Sequence, residues 1–172
     1  CALPISTNLL FYTAPSGSTS VLERMRIDSS GRVTMPYQPA LVAVVTSNKT
    51  VNGSISLAFD SITLNRGNST SASLSNSRFT VSIAGCYKVD LFWFLGSSGN
   101  DSALDIAVNG SSVYRLGTNI GGVSGTASYL GSGGGVILNL AANDYIEIFG
   151  SGTKTILGSS PVHSAMSISF LG

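Results

Sequence analysis

The chain has 172 residues and a net charge of +1, from 9 Lys and Arg against 8 Asp and Glu. Charged residues make up only 10% and hydrophobic ones 43%, which excludes a chain disordered by composition and, without a basic cluster, a nucleic-acid partner. One His (His163) and two Cys (Cys1 and Cys86) are too few for most zinc sites, and no run approaches the roughly 18 apolar residues of a membrane-spanning helix.

A first residue of Cys1 rather than Met marks a processed chain or a fragment. A lipid-modified mature N-terminus is one reading. The fragment is preferred, because no flexible tether separates Cys1 from the apolar run Leu9-Leu10-Phe11-Tyr12. Cys1 and Cys86 are far apart in sequence and are expected to stay free thiols. Residues 1–36 read as a connector. Met25 and Ile27 alternate with Arg24, Arg26 and Asp28, Asp28-Ser29-Ser30-Gly31 is a turn, and Val33 and Met35 resume the alternation. A lone hairpin is marginal in water. Its apolar residues Met25, Ile27, Val33 and Met35 are therefore expected at an interface, under the main domain or under copies of the same hairpin. Pro36 and Pro39 mark the junction, which leaves residues 37–172 as the main domain.

That domain keeps no helical period for three turns and offers about nine or ten strand candidates. In order they are Leu41 to Thr46, one or two within Ile55 to Leu64, Arg78 to Ile83, Tyr87 to Leu95, Ala103 to Val108, Ser112 to Leu116, Ala127 to Tyr129 with Val136 to Leu140, Tyr145 to Phe149, and Ser164 to Leu171. Asn109-Gly110 is a strong hairpin signal. Gly131 to Gly135 reads as an interruption, a loop or bulge. Short strands at this spacing without helices predict an all-β sandwich or barrel. Tyr87, Val89, Leu91, Trp93 and Leu95 share one face of their strand, while Lys88, Asp90, Phe92 and Phe94 share the other. The second half of that strand is apolar on both faces, so Phe92 and Phe94 need a cover, either a neighbouring subunit or a loop of the same chain. Phe79, Tyr87, Val89, Leu91, Trp93, Leu138 and Leu140 are the expected core between two sheets.

The run Phe79-Thr-Val-Ser-Ile-Ala-Gly85-Cys-Tyr87-Lys-Val89 resembles the central signature of the complement-1q globular-head family. Further likenesses follow in order. Ala40 to Val45 resembles the first strand, Phe59-Asp60-Ser-Ile-Thr-Leu-Asn65 the strand before the signature, and Val108-Asn109-Gly110 an Asn-Gly turn. Val136 to Ile146 resembles a Leu-x-Leu then Gly-Asp-x-Val stretch, with Asn143 where Gly is usual, and Ser167 to Leu171 resembles the closing strand without its usual Gly. The resemblance covers residues 39–172. It implies a ten-strand, two-sheet jelly roll of tumour-necrosis-factor type that assembles as a homotrimer, with Tyr129 on an inner-sheet strand as a further interface residue. Leu10-Phe11-Tyr12-Thr13 and Glu23-Arg-Met-Arg-Ile-Asp-Ser-Ser-Gly-Arg-Val33 are similar to a segment recurrent in bacteriophage tail-fibre and virion proteins.

Catalysis is not predicted. His163 lacks a positioned acid and an activated Ser, and Asp60, Asp90, Asp101, Asp105 and Asp144 are dispersed. Some relatives bind Ca²⁺ near the trimer apex, where Asp101 and Asp105 fall, but both read as turn residues, so no metal and no cofactor is expected. The two likenesses together imply a phage tail-fibre tip: an extracellular virion protein, trimeric, attached to the rest of the fibre and contacting a host-surface glycan or protein. A head fibre or decoration protein, or a secreted complement-1q-like binding protein, is the alternative. With both termini at the base, the resemblance puts Asn100, Asp101, Asn119, Lys154 and Thr155 in loops at the far apex, as the expected binding residues.

Overall fold

The computed structural model describes residues 7–51, 55–57, 59–67, 70–73, 76–98, 102–119, 130–150, 154–158 and 164–172. The chain divides between Gln38 and Pro39 into two units. In the first, β1 (Leu9–Thr13), β2 (Leu22–Ile27) and β3 (Val33–Thr34) form an antiparallel sheet in the order β1-β2-β3. The hairpin expected from alternation is there, although its second strand is only two residues long. The added strand β1 has no alternation to betray it, because Leu9 to Tyr12 is apolar throughout. Asp28 builds the turn. Its Oδ1 accepts the amides of Ser30 (2.9 Å) and Arg32 (3.0 Å), its Oδ2 accepts Arg32 Nε (2.7 Å), and Gly31 takes the left-handed position at φ 79°.

The second unit is all strand and turn among the described residues. Its strands are β4 (Ala40–Val45), β5 (Lys49–Val51), β6 (Ile55–Ser56), β7 (Ser61–Arg66), β8 (Thr70–Ser73), β9 (Arg78–Val81), β10 (Gly85–Ser98), β11 (Ser102–Val108), β12 (Ser111–Asn119), β13 (Leu130–Leu140), β14 (Tyr145–Gly150), β15 (Lys154–Ile156) and β16 (Ser164–Phe170). They form a seven-stranded sheet in the order β5-β15-β10-β16-β4-β7, with β13 on the other side of β10, and a six-stranded sheet in the order β12-β11-β14-β9-β8, with β6 beside β14. The expected ten strands are thus thirteen, because the short strands β5, β8 and β15 carry no apolar alternation. Asp105 lies within β11, not in a turn.

Two segments correct the sequence reading. The glycines at 131 and 133–135 are neither a loop nor a bulge: β13 runs through them and pairs with β10 from Leu140↔Gly85 to Leu130↔Leu95 without a register shift. Ser82 and Ile83 fall outside β9, and Ile83 is exposed. The hairpin signal at Asn109-Gly110 is realised, with φ 52° and 81° giving both turn residues the left-handed conformation that this sequence tolerates. Asn143, at φ 74°, takes the position where the family resemblance has Gly, and Asn is the side chain least strained there.

The core lies between the two sheets. Tyr87, Val89, Leu91 and Trp93 point in from β10 and meet Phe79, Ile106, Ile146 and Ile148 in one buried cluster. Of the expected core set only Leu138 is half-buried; it packs at the margin of the cluster. Two polar groups at the core are partnered: Tyr87 Oη donates to Ile83 O (2.8 Å), and Ser77 Oγ accepts from Phe59 N (3.1 Å). Trp93 is 3% exposed. Trp93→Ala should therefore cost about 3 to 5 kcal/mol in a urea titration, the range for truncating a buried aromatic side chain; a loss under about 1 kcal/mol would place the indole outside the core.

Candidate assembly and binding surfaces

Because β10 alternates strictly, the residues between its core positions all point away from the core: Cys86, Lys88, Asp90, Phe92 and Phe94. The register extends this outer face across the seven-stranded sheet. One row runs Leu64, Val42, Ser167, Asp90, Gly135, and the next runs Val44, Ala165, Phe92, Gly133. Phe92 is 47% exposed, with no described segment over it, and its ring meets Phe94 edge-on at 5.2 Å. Small residues lower the floor beside it. Ala165, Ser167, Gly133 and Gly135, flanked by Val42 and Phe92, enclose a shallow groove of about 430 Å³.

The glycines exist for the side chains opposite them. A Cβ on Gly133 would stand 3.0 Å from Phe92 Cδ2 and from Leu91 O, one on Gly131 2.8 Å from Phe94 Cε1, and one on Gly135 would collide with Asp90 Oδ1. The outer side chains of β10 thus lie across β13, which must be bare to receive them. Among the described residues, the one ion pair on this face is Lys88 Nζ to Asp90 Oδ2 at 3.0 Å, both about half exposed and worth little in stability. Gly133→Val tests the arrangement. Strand propensity alone favours Val, yet crowding of Phe92 should destabilise the protein by about 1 to 3 kcal/mol; equal or greater stability in urea would mean that the ring does not need the space.

Two ion pairs lie on the other sheet. Arg115 grips Asp105 through Nε (2.9 Å) and Nη2 (3.2 Å). Arg78 Nε reaches Glu147 Oε2 at 3.3 Å, with its guanidinium 4.4 Å from the centre of the Tyr145 ring. Glu147 is buried, and among the described residues its Oε1 has no hydrogen-bond partner.

β10 runs from the end that holds Pro39, Gly172 and the Asn109 turn to an opposite, far end. At the near end Phe170 N donates to Pro39 O, Cys86 N to Gly172 O, and Asn109 Nδ2 to Asp144 Oδ1. At the far end β15 is wedged between β5 and the last residues of β10, with Thr155 opposite Thr50 and Ser97. Asn119 closes β12 opposite Ser102 at this end, and Lys154 opens β15 opposite Val51. Asn100 and Asp101 lie outside the described residues, as do Tyr129 and His163. Of the expected interface residues, Phe94 is half-buried, as are Met25 and Ile27 in the first unit, whereas Val33 and Met35 are exposed. Cys86 is a free, exposed thiol.

The far end is braced by residues that sequence reasoning did not single out. Asp60 accepts Thr46 N (2.7 Å) and Oγ1 (2.9 Å), Ser47 N (3.3 Å) and Oγ (2.8 Å), and pairs with Lys49 Nζ at 2.9 Å. Desolvation opposes its charge, but Lys49 and these donors outweigh that and hold the carboxyl well below the usual range. Gly158 N donates to Asn48 Oδ1, and a Cβ on Gly158 would stand 2.5 Å from Ser47 N, so only Gly lets the two loops touch. In sequence Asp60 is one acidic residue inside a strand candidate, and five donors converge on it only through the fold. With a depressed native pKa, its stabilisation is complete above the unfolded value near 3.9 and is lost as pH falls below that. Asp60→Asn should cost about 1 to 3 kcal/mol at pH 7, with the gap to wild type narrowing in urea titrations at pH 3. A gap that does not depend on pH would show that the carboxylate charge is not what braces the loops.

Among the described residues, no three His, Cys, Asp or Glu side chains come together as a metal site. No family model matches the chain, and no curated protein matches it. Solved structures do. The globular domain of zebrafish complement 1qA protein superposes with a TM-score of 0.61 at 11% identity, over 78% of this chain and 98% of that one. Eiger TNF from S. frugiperda gives 0.63 at 10% identity, over 78% and 94%. Murine APRIL gives 0.62 at 12% identity, over 78% and 99%. The fold is a complement-1q/tumour-necrosis-factor jelly roll. At these identities the likeness is one of fold, and the surfaces above belong to this chain alone.

Proposed function

We propose that the protein is the trimeric tip of a phage tail fibre, a virion structural protein whose jelly-roll knob attaches to a glycan or protein on the host surface. The observation that supports the trimer most is the outer face of β10. An exposed Phe92 sits beside a groove of small residues edged by Asp90, on a face whose described charges are Lys88 paired with Asp90 and, at its margin, Arg66. A monomer gains nothing from keeping an aromatic ring and a bare glycine strand in water, whereas burial between copies uses both. Knobs named for complement and for tumour necrosis factor have this fold, which favours a binding module over an enzyme. The viral setting rests on the Glu23-Arg-Met-Arg-Ile-Asp hairpin segment, whose likeness is to fibre and virion proteins. Attachment is assigned to the far end, around Asn100, Asp101, Asn119, Lys154 and Thr155, opposite the end where the connector joins. These residues offer neutral or weakly charged hydrogen-bonding groups and no basic cluster, as a sugar-rich or protein surface requires.

Cys86 lies on the same face as Phe92 and reports on the assembly. In a Cys1→Ser background at micromolar concentration, the protein should sediment at three times 17.7 kDa. Cys86 should be alkylated slowly, and Phe92→Asp should yield a monomer in which it reacts at least tenfold faster. A stable wild-type monomer rules the trimer out. For attachment, labelled protein should bind host bacteria and lose binding on Asn119→Ala with Lys154→Ala, but not on Asn109→Ala at the near end; the reverse pattern would move the binding surface to the base.

A further inference from the structure

The first unit presents an unpartnered face. Cross-strand pairing puts Leu9, Ile27 and Val33 side by side, with Phe11 and Met25 as the next pair, so these five residues from β1, β2 and β3 share one side of the sheet. All five are apolar. Leu9 is 56% exposed, Phe11 45% and Val33 56%. The opposite side carries Arg26 between Leu10 and Thr34, with Arg26 paired to Glu23 at 2.8 Å. A three-stranded sheet with one apolar side and no second layer of its own is the kind that fails to persist alone.

Size decides what covers it. From strand spacing and rise the face measures roughly 250 Å², far below the ~600 Å² per partner that even a small stable interface needs. Free copies of this unit cannot hold together through it. Copies tethered to an already assembled knob can, because a short tether raises their mutual concentration to the millimolar range. The face is uncharged, so it meets copies of itself without electrostatic penalty. We infer that the apolar faces of three copies of the first unit close on one another, forming a second, knob-dependent zone of trimer contact centred on Phe11, Ile27 and Val33. This rests on the trimeric knob proposed above. Phe11 and Leu9 enter it only because β1 joins the sheet.

The test combines sedimentation with amide hydrogen exchange on the full-length chain. Wild-type trimer should protect the amides of β1 and β2 at least tenfold more than either the Phe92→Asp monomer or wild type diluted to its monomer. Phe11→Asp should remain a trimer and lose that protection. Val33→Lys, which alters only the two-residue edge strand and leaves the β1-β2 pairing in place, should do the same. A wild-type trimer whose first unit exchanges freely overturns this inference alone, as does a Phe11→Asp or Val33→Lys trimer with protection intact. Protection that persists in the monomer means that the chain's own knob covers the face, which also overturns it. A wild-type monomer sinks the inference and the trimeric function together.

Discussion

Strand β10 has to satisfy two environments at once. Its inward residues Tyr87, Val89, Leu91 and Trp93 are the centre of the core, and no other strand contributes as many large buried side chains to it. The same pleat forces Phe92 and Phe94 outward. β10 is also the hub of its sheet, with β13 along one side and β16 then β15 along the other. It therefore cannot turn its second aromatic face to the core without losing the first, because a shift of one residue exchanges the two faces completely.

The glycines of β13 follow from that constraint. Glycine in a strand interior forfeits packing and costs conformational entropy. Gly131 and Gly133 give up both so that the rings of Phe94 and Phe92 can lie over the neighbouring backbone. Gly134, on the inward side, faces Leu116 at 3.2 Å for a Cβ, so the strand is bare on both faces for separate reasons. An outer face with exposed aromatic rings results, and the pairs Arg115–Asp105 and Arg78–Glu147 lie on the other sheet. On the outer face the charged Lys88, Asp90 and Arg66 stand toward one end and the rings of Phe92 and Phe94 toward the other, which suits an aromatic part that is not meant to stay in water.

Much of this was legible in the sequence wherever burial imposes a period. The alternation of β10, the Asn-Gly turn, the core position of Phe79 and the two-faced character of Phe92 follow from side-chain order alone. What escaped were features set by contacts distant in sequence. The short strands β5 and β15 exist because they complete the flank of β10, and their residues Lys49 to Val51 and Lys154 to Ile156 show no pattern of their own. A run of glycines reads as a break when strands are judged one at a time, and becomes a continuous strand only beside the aromatics it accommodates. Asp60, Asn48 and Gly158 brace the far end through partners 13, 14 and 110 residues away in sequence.

Those braces bear on what the far end can do. Loops that recognise a surface gain affinity when they are already ordered, because less entropy is lost on contact. Gly158, just after β15, is held by the Asn48 bond and by its close approach to Ser47, and the turn after β4 is locked on the Asp60 carboxylate. Thr155 is thereby presented on a short strand fixed on both sides, by Thr50 and by Ser97. Neither brace adds to the core, and both consume charge or backbone freedom in a chain that has little charge to use. Both braces stand at the end opposite Pro39 and Gly172, so the described parts of that end are held by specific bonds rather than left as loose turns.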